Sequence, residues 1–348
     1  MRCTMEEEIL REIEKFASII EIDGNRIKLI FHDKPDTSIH ELKKFLKNRE
    51  FIIKVTRDAD YYYLEIFKFK VSPNNYSLPL LLFILTLFTT LIAGALQQGY
   101  LPWKNWGYLL KGLPFSLSLL LILGLHELGH YIISKKSGVA STLPHFIPAP
   151  NPLLGTLGAF IRIKSPITDR KALIGIGVAG PILGFIISIP VTIIGLYMSK
   201  ITEYKEGLIT LGNPLIFSFL SRLTLGKIPE HNAVLLHPVA FAGWIGFFVT
   251  SLNLLPVGQL DGGHILFGVF GKRTHNLISR IVTLVLIPLG FFWTGWWMWG
   301  ILLLILGTKH PDPLYSEERL PSFYYILSIM ALVIFILCFT PVPIKVVP

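Results

Sequence analysis

Seven runs of apolar residues, at about 78–98, 113–134, 172–198, 237–256, 277–293, 295–308 and 321–340, constrain this chain more than any other feature. No water reaches backbone groups in hydrocarbon, so such runs fold as helices whose hydrogen bonds close within each segment. The expectation is a polytopic α-helical membrane protein of about six to seven transmembrane helices, preceded by a small N-terminal α+β domain. The fifth and sixth runs are each shorter than the roughly 20 residues a perpendicular span needs. Only Thr294-Gly295 separates them, so one bent helix and two helices both remain open. Composition agrees with a membrane setting: the 348 residues are 52% hydrophobic and only 16% charged, with a mean hydropathy of +0.57, too apolar for disorder and too poor in charge for an ordinary soluble surface.

Charge is unevenly spread. Residues 1–77 carry 14 basic and 14 acidic side chains, so the net charge of +9 belongs entirely to the apolar remainder. There the basic residues sit in short loops, which points to membrane orientation and away from nucleic acid. Lys135, Lys136, Arg162, Lys164, Arg170 and Lys171 crowd the loop between the second and third runs, followed on the same side by Lys272, Arg273, Lys309 and Arg319. The opposite loops hold fewer, among them Lys104, Lys111, Lys200, Lys205, Arg222 and Lys227. The basic side is expected to be cytoplasmic, with the N-terminus on it, in a multi-pass protein of the cell membrane. Trp293, Trp296, Trp297 and Trp299 fit an interfacial belt at the far side. The first residues, MRCTMEEEILREIEKF, lack the basic end and apolar run of a signal peptide, so no cleavage is expected. Cys3 and Cys338 form no metal or disulfide pattern.

Residues 1–75 read as a separate soluble unit. Ile9, Leu10, Ile13, Phe16 and Ala17 recur at helical spacing behind Thr4, with Glu6, Glu7 and Glu8 in the first turn. Asp23-Gly24-Asn25 predicts a hairpin, Ser38 with Glu41 a capping box for a helix over 38–47, and 51–55 and 61–71 two strands around Asp58-Ala59-Asp60. Ser72-Pro73-Asn74-Asn75 would be the linker to a transmembrane domain over 76–348.

Ionisable residues inside apolar runs are functional candidates. The plainest group is His126-Glu127-Leu128-Gly129-His130. A spacing of four puts both imidazoles on one helical face with Glu127 beside them, which suits zinc: neutral imidazoles bind the metal, and the carboxylate can take a proton from the water it activates. By composition this HExxH pattern has a random expectation of about 0.01; the competing reading is an internal polar network or a proton-transfer element. A catalytic zinc needs a third protein ligand. Every later glutamate, at 203, 206, 230, 317 and 318, falls in an expected loop. Asp261, in NLLPVGQLDGGH, lies where Pro256, Gly258, Gly262 and Gly263 break the backbone at membrane depth. It reads equally as a ligand or as the N-cap of a helix starting near His264. His264 and His145 are weaker metal candidates, and the remaining histidines, His32, His40, His231, His237, His275 and His310, read as cap, loop or interfacial residues. Gly175, Gly177 and Gly180 with Ala172 and Ala179 read as a stripe for helix packing.

HELGH in a transmembrane run, followed by GTLGAFIRIKSPITDRKALIGIGVAGPILG and then NLLPVGQLDGG, resembles the site-2 protease family of intramembrane zinc metalloproteases, its plastid members included, over roughly 113–275. The resemblance implies His126, His130 and Asp261 as ligands of one Zn2+ per chain and Glu127 as the catalytic base. Asn253 matches the family's motif asparagine, which would orient substrate or stabilise the oxyanion. The expected function is hydrolysis of peptide bonds in or near transmembrane segments of membrane-protein substrates, within the lipid bilayer. His130 stands five residues before Lys135-Lys136, which puts such a site near the cytoplasmic face where water enters. Gly155–Ile163 is too short to span, and Gly158, Ala159, Phe160 and Ile161 are strand-like, so a re-entrant hairpin could pair with an extended substrate. The rival class is a transporter or channel with a structural or regulatory metal; it is disfavoured because no inverted repeat is visible and the charged groups converge on one point.

Overall fold

The computed structural model describes residues 2–47, 51–58, 60–68, 75–203, 209–229, 231–314 and 319–346. Outside the described residues lie the expected linker residues 72–74, Ala59 of the expected turn and the end of the strand expected to reach Val71. So do Lys205, Glu206, Glu230, Glu317 and Glu318, and the side chains of Thr4 and Glu6.

The chain opens with α1 (Arg2–Glu14), β1 (Ala17–Asp23), β2 (Arg26–Phe31), α2 (Pro35–Lys47), β3 (Phe51–Asp58) and β4 (Tyr61–Lys68). The four strands form an antiparallel sheet in the order β1-β2-β4-β3. The expected hairpin is present, with Asp23 opposite Arg26 and Gly24 at φ 58°, the left-handed geometry a two-residue connection requires. Helix α2 begins a turn before the expected cap, because Pro35 supplies its first turn; Ser38 lies inside it and donates its hydroxyl to Lys34 O. Ile9 and Ile13 of α1 and Leu42 and Leu46 of α2 share a core with Leu29 and Leu64 of the sheet.

The rest is helical. Helix α3 (Ser77–Leu96) leads through a 3-10 turn (Trp106–Gly112) to α4 (Leu113–Lys136), which is followed by the hairpin β5 (His145–Pro148) and β6 (Thr156–Phe160). Then come α5 (Arg170–Tyr197), β7 (Lys200–Glu203), β8 (Ile209–Leu211), α6 (Leu215–Leu225), β9 (Asn232–Leu235), α7 (Pro238–Asn253), α8 (Asp261–Leu289), α9 (Gly295–Leu306), α10 (Ser322–Cys338) and β10 (Ile344–Val346). Glu203, expected in a loop, ends β7, which pairs with β9. Three helices are long and apolar enough to cross a membrane by length and composition: α3, α4 with its 3-10 turn, and α5. Helices α6, α7, α9 and α10 are apolar but shorter. The fifth and sixth apolar runs fall on the second part of α8 and on α9, two helices with a turn between them. Helix α8 breaks at Gly271 (φ 78°, ψ 179°), so residues 261–270 form a half-helix that the apolar runs did not announce.

The core of this helical part gathers Phe115, Leu119 and Leu123 of α4, Ile174 and Val178 of α5, and Trp244 and Phe247 of α7. Side chains as large as Trp244 and Phe247, at 2% and 0% exposure, interlock by close van der Waals packing and so hold these helices in one register. That register sets the centre described next.

Candidate metal centre

Helix α4 carries His126, Glu127 and His130, all buried at 3%, 6% and 5% exposure. Pro114 sits in its first turn, where a missing N–H costs nothing, and Lys135 and Lys136 complement the dipole in its last. Four residues are 400° of helix, so the two imidazoles lie one above the other, with ring centroids 4.9 Å apart. Asp261 opens α8, and the half-helix aims its carboxylate back at this pair: Asp261 Oδ2 lies 3.4 Å from His126 Nε2 and 3.3 Å from His130 Nε2. The cap residue of α8 is Leu260, with no side-chain cap bond, so Asp261 is not spent on capping.

Among the described residues, His126, His130 and Asp261 form the group of histidine, cysteine and acidic side chains close enough to share a metal ion. Their spacing tests the fit. Tetrahedral zinc with bonds of about 2.0–2.2 Å holds its ligand atoms about 3.4 Å apart, and both histidine-to-carboxylate distances match. Helix α5 adds orientation, since His130 Nδ1 lies 2.7 Å from the Ile176 carbonyl. A carbonyl only accepts, so Nδ1 carries the proton and Nε2 presents its lone pair to the metal position. Glu127 accepts a backbone hydrogen bond from Ile161, just past β6. Asn253, the last residue of α7, places Nδ2 3.1 Å from His126 Nε2.

The structure places His126, Glu127, His130, Asp261 and Asn253, which the sequence singled out, in one neighbourhood, and gives some of the small residues of α5 a task beside helix packing. Gly180 and Gly184 line the wall against which the two imidazoles lie, and Gly177 lets the start of α8 approach. A Cβ at Gly184 would stand 2.8 Å from His126 Nδ1, one at Gly177 2.9 Å from Asp261 O, and one at Gly180 would overlap His130 Nε2. Their spacing of three and four along one helix, set opposite HELGH, was the available signal. Gly180→Ala is therefore expected to push His130 off its position and weaken zinc binding at least about tenfold, as measured by competition with a chelator, a loss on the scale of removing an orienting group. The weaker metal candidates stand outside this group: His145 Nδ1 is 2.9 Å from Leu143 O, and His264 Nδ1 is 2.6 Å from His310 Nε2.

The sequence profile of peptidase family M50 matches residues 114–294, more than half of the chain, and this stretch includes His126, Glu127, His130, Asn253 and Asp261. The chain belongs to this family, that of the site-2 proteases. It is 30% identical over 271 residues to the probable zinc metalloprotease EGY2 of Arabidopsis thaliana chloroplasts, an alignment covering 75% of this chain and 48% of the relative. The Arabidopsis chloroplast relative EGY1, likewise named a probable zinc metalloprotease, is 32% identical over 240 residues, 66% of this chain and 43% of its own. The EGY1 of Oryza sativa subsp. japonica reaches 38% over 168 residues, 47% of this chain and 29% of its own. The chain thus spans about half the length of the curated relatives it matches, or less. No solved structure matches the chain significantly. The M50 family is membrane-embedded, in keeping with the three candidate spans.

Proposed function

We propose that this M50 member is an intramembrane zinc endopeptidase that hydrolyses peptide bonds in or near transmembrane segments of membrane-protein substrates. The observation that carries the reading is the convergence of two imidazole nitrogens and one carboxylate oxygen at the spacing of a tetrahedral site, with a second carboxylate beside them. His126, His130 and Asp261 hold one zinc, which when bound supplies Lewis acidity toward a substrate carbonyl and a lowered pKa for water. Glu127 takes a proton from the attacking water and returns it to the departing amine nitrogen. Asn253, at the rim beside His126, donates its amide N–H to the oxygen that gains charge. The buried, apolar surroundings exclude bulk water and strengthen each of these interactions.

Substrate enters as a strand. The Arg162 carbonyl turns toward the hairpin partner, where it takes the Thr142 N–H at 3.0 Å, while the Ile161 N–H beside it points the other way, to Glu127. An extended peptide laid along Gly158, Ala159, Phe160 and Ile161 would add to this outer edge with its backbone beside Glu127. Phe160 and Leu157 are exposed at 45% and 74% and offer apolar contact. Ala159→Pro removes an edge N–H and is expected to cut turnover about tenfold or more with zinc content unchanged, as elemental analysis run beside a cleavage assay reads; equal turnover would remove the hairpin from substrate binding.

In this reading the apolar helices make about six to seven spans, the Lys135-Lys136 end of α4 and the N-terminal unit (residues 1–75) face the cytoplasm, and the membrane is the cell membrane. The test of the function is cleavage of a tagged single-span reporter in proteoliposomes. Cleavage that a zinc chelator stops and added zinc restores supports the protease; zinc-loaded protein that leaves the reporter intact refutes it.

A further inference from the structure

A second cluster of imidazoles takes no part in the metal centre. His310, in the connection after α9, is 5% exposed, and burial holds its imidazole down at about 4, so it is neutral at physiological pH. Its Nδ1 lies 2.5 Å from the Pro311 carbonyl, which fixes the proton there and leaves Nε2 to accept from His264 Nδ1 at 2.6 Å. The His310 ring also packs on Phe267, with centroids 4.7 Å apart. Both partners belong to the half-helix that begins with Asp261. Nearby, Lys272 pairs with Asp312 at 2.7 Å.

The same connection is held on its other side by the N-terminal sheet. The Leu314 carbonyl accepts the Val55 N–H at 3.3 Å, and the Leu314 side chain, 7% exposed, is buried in the core under that sheet. β3 is an edge strand; bare edges pair with whatever meets them, and here the connection covers one donor. Leu314 in turn donates to Ile167 O at 3.0 Å, three residues before Arg170, whose guanidinium reaches the carbonyls of Gly268 and Val269 at 2.6 and 2.8 Å. Those carbonyls end the half-helix just before its break at Gly271, where a helix leaves them without partners of its own. Between the two anchors the sequence reads His310-Pro311-Asp312-Pro313-Leu314. Each proline fixes its own φ and drives the residue before it to an extended conformation, so this stretch is a stiff connector.

We propose that residues 309–314 are a strap that couples the N-terminal sheet to the half-helix bearing Asp261, so that a partner or ligand displacing the sheet resets the metal centre. The catalytic consequence rests on Asp261 being a zinc ligand; the mechanical coupling does not. A half-helix pinned at His264, Phe267 and its last carbonyls moves as one body, and its first residue moves with it. Because the strap grips both bodies through a few named groups, cutting either end weakens the same link.

The test uses the full-length protein with Leu314→Asp, which severs the sheet end, His310→Phe, which severs the helix end, and both together. Hydrogen exchange is followed in peptides covering 51–58 and 261–270, and zinc affinity by chelator competition. Leu314→Asp is expected to raise exchange in both peptides and to weaken zinc about five- to tenfold, within the usual range of site-to-site coupling. In the His310→Phe background, adding Leu314→Asp should change 261–270 and zinc affinity much less than it does in the wild type, because only the route through Ile167 and Arg170 is left to lose. The strap is refuted if Leu314→Asp frees 51–58 yet leaves 261–270 and zinc affinity within twofold of wild type, or if the two substitutions act additively. If Leu314→Asp does not fold, Leu314→Ala is read by the same criteria. Wild-type protein that binds no zinc would overturn the proposed function, and exchange at 261–270 alone would then decide the coupling.

Discussion

Glu127→Gln is expected to bind one zinc as the wild type does, to fold as the wild type does, and to lose turnover by about 10²–10⁴-fold, the usual contribution of a positioned acid–base group. Glutamine has nearly the volume of glutamate, and its carbonyl oxygen can still accept the Ile161 N–H that holds the side chain beside the hairpin. What it cannot do is take a proton from water and give it back. Glu127 is 6% exposed and sits between two imidazoles on the same helix, so no other carboxylate on α4 can substitute for it. The distinction from a structural role is quantitative. Were Glu127 only a hydrogen-bond partner for β6, glutamine would preserve activity as well as zinc. Turnover of the single-span reporter, measured beside zinc content of the same preparation, separates the two, and full activity in Glu127→Gln would remove it as the base.

The residues of α4 were legible because their information is local: a spacing of four on an apolar helix fixes a shared face whatever surrounds it. Asp261 was legible as a candidate for a weaker reason, that glycines and a proline at membrane depth mark backbone lining a site, but its partner could not be read from spacing alone. Gly180 shows what remained hidden. A small residue on an apolar helix looks the same whether it lets another helix approach or gives room to an imidazole, and only the packing of α5 on α4 decides between them. A helix near His264 was expected, but that it ends at 270 as a half-helix escaped for a related reason. It is short and carries Asp261 and His264, so it never rises as an apolar run, and its end depends on the backbone of Gly271. His310 was read as an interfacial histidine because its partner, His264, stands in a different segment. The apolar runs announced helices without their lengths: α7 and α10 are 16 and 17 residues, and α9 is 12.

Asp261→Asn is the substitution that discriminates most sharply at the metal centre, because asparagine caps a helix about as well as aspartate does. If Asp261 served the start of α8, the variant would be nearly silent. Its geometry argues otherwise: the residue is the first of the helix, its carboxylate oxygen sits at 3.3 and 3.4 Å from two imidazole nitrogens, and no cap bond is made. Losing the negative charge at that point removes the one anionic ligand of a dication in a dry setting, where charge neutralisation matters most. The expected result is a fall in zinc affinity of more than about 100-fold, beyond the 10–100-fold that loss of an orienting neighbour costs. His126→Ala should do the same, since it removes a ligand from the other helix. Elemental mass spectrometry on purified wild type and the two variants would then find about one zinc per chain in the first and little in the others. Zinc lost in His126→Ala but retained in Asp261→Asn would mean that the third ligand lies elsewhere and that the half-helix only closes the cavity. Loss in both ties α4 and α8 to a single ion, and makes the position of the half-helix, together with everything that grips it, a determinant of whether the site is loaded.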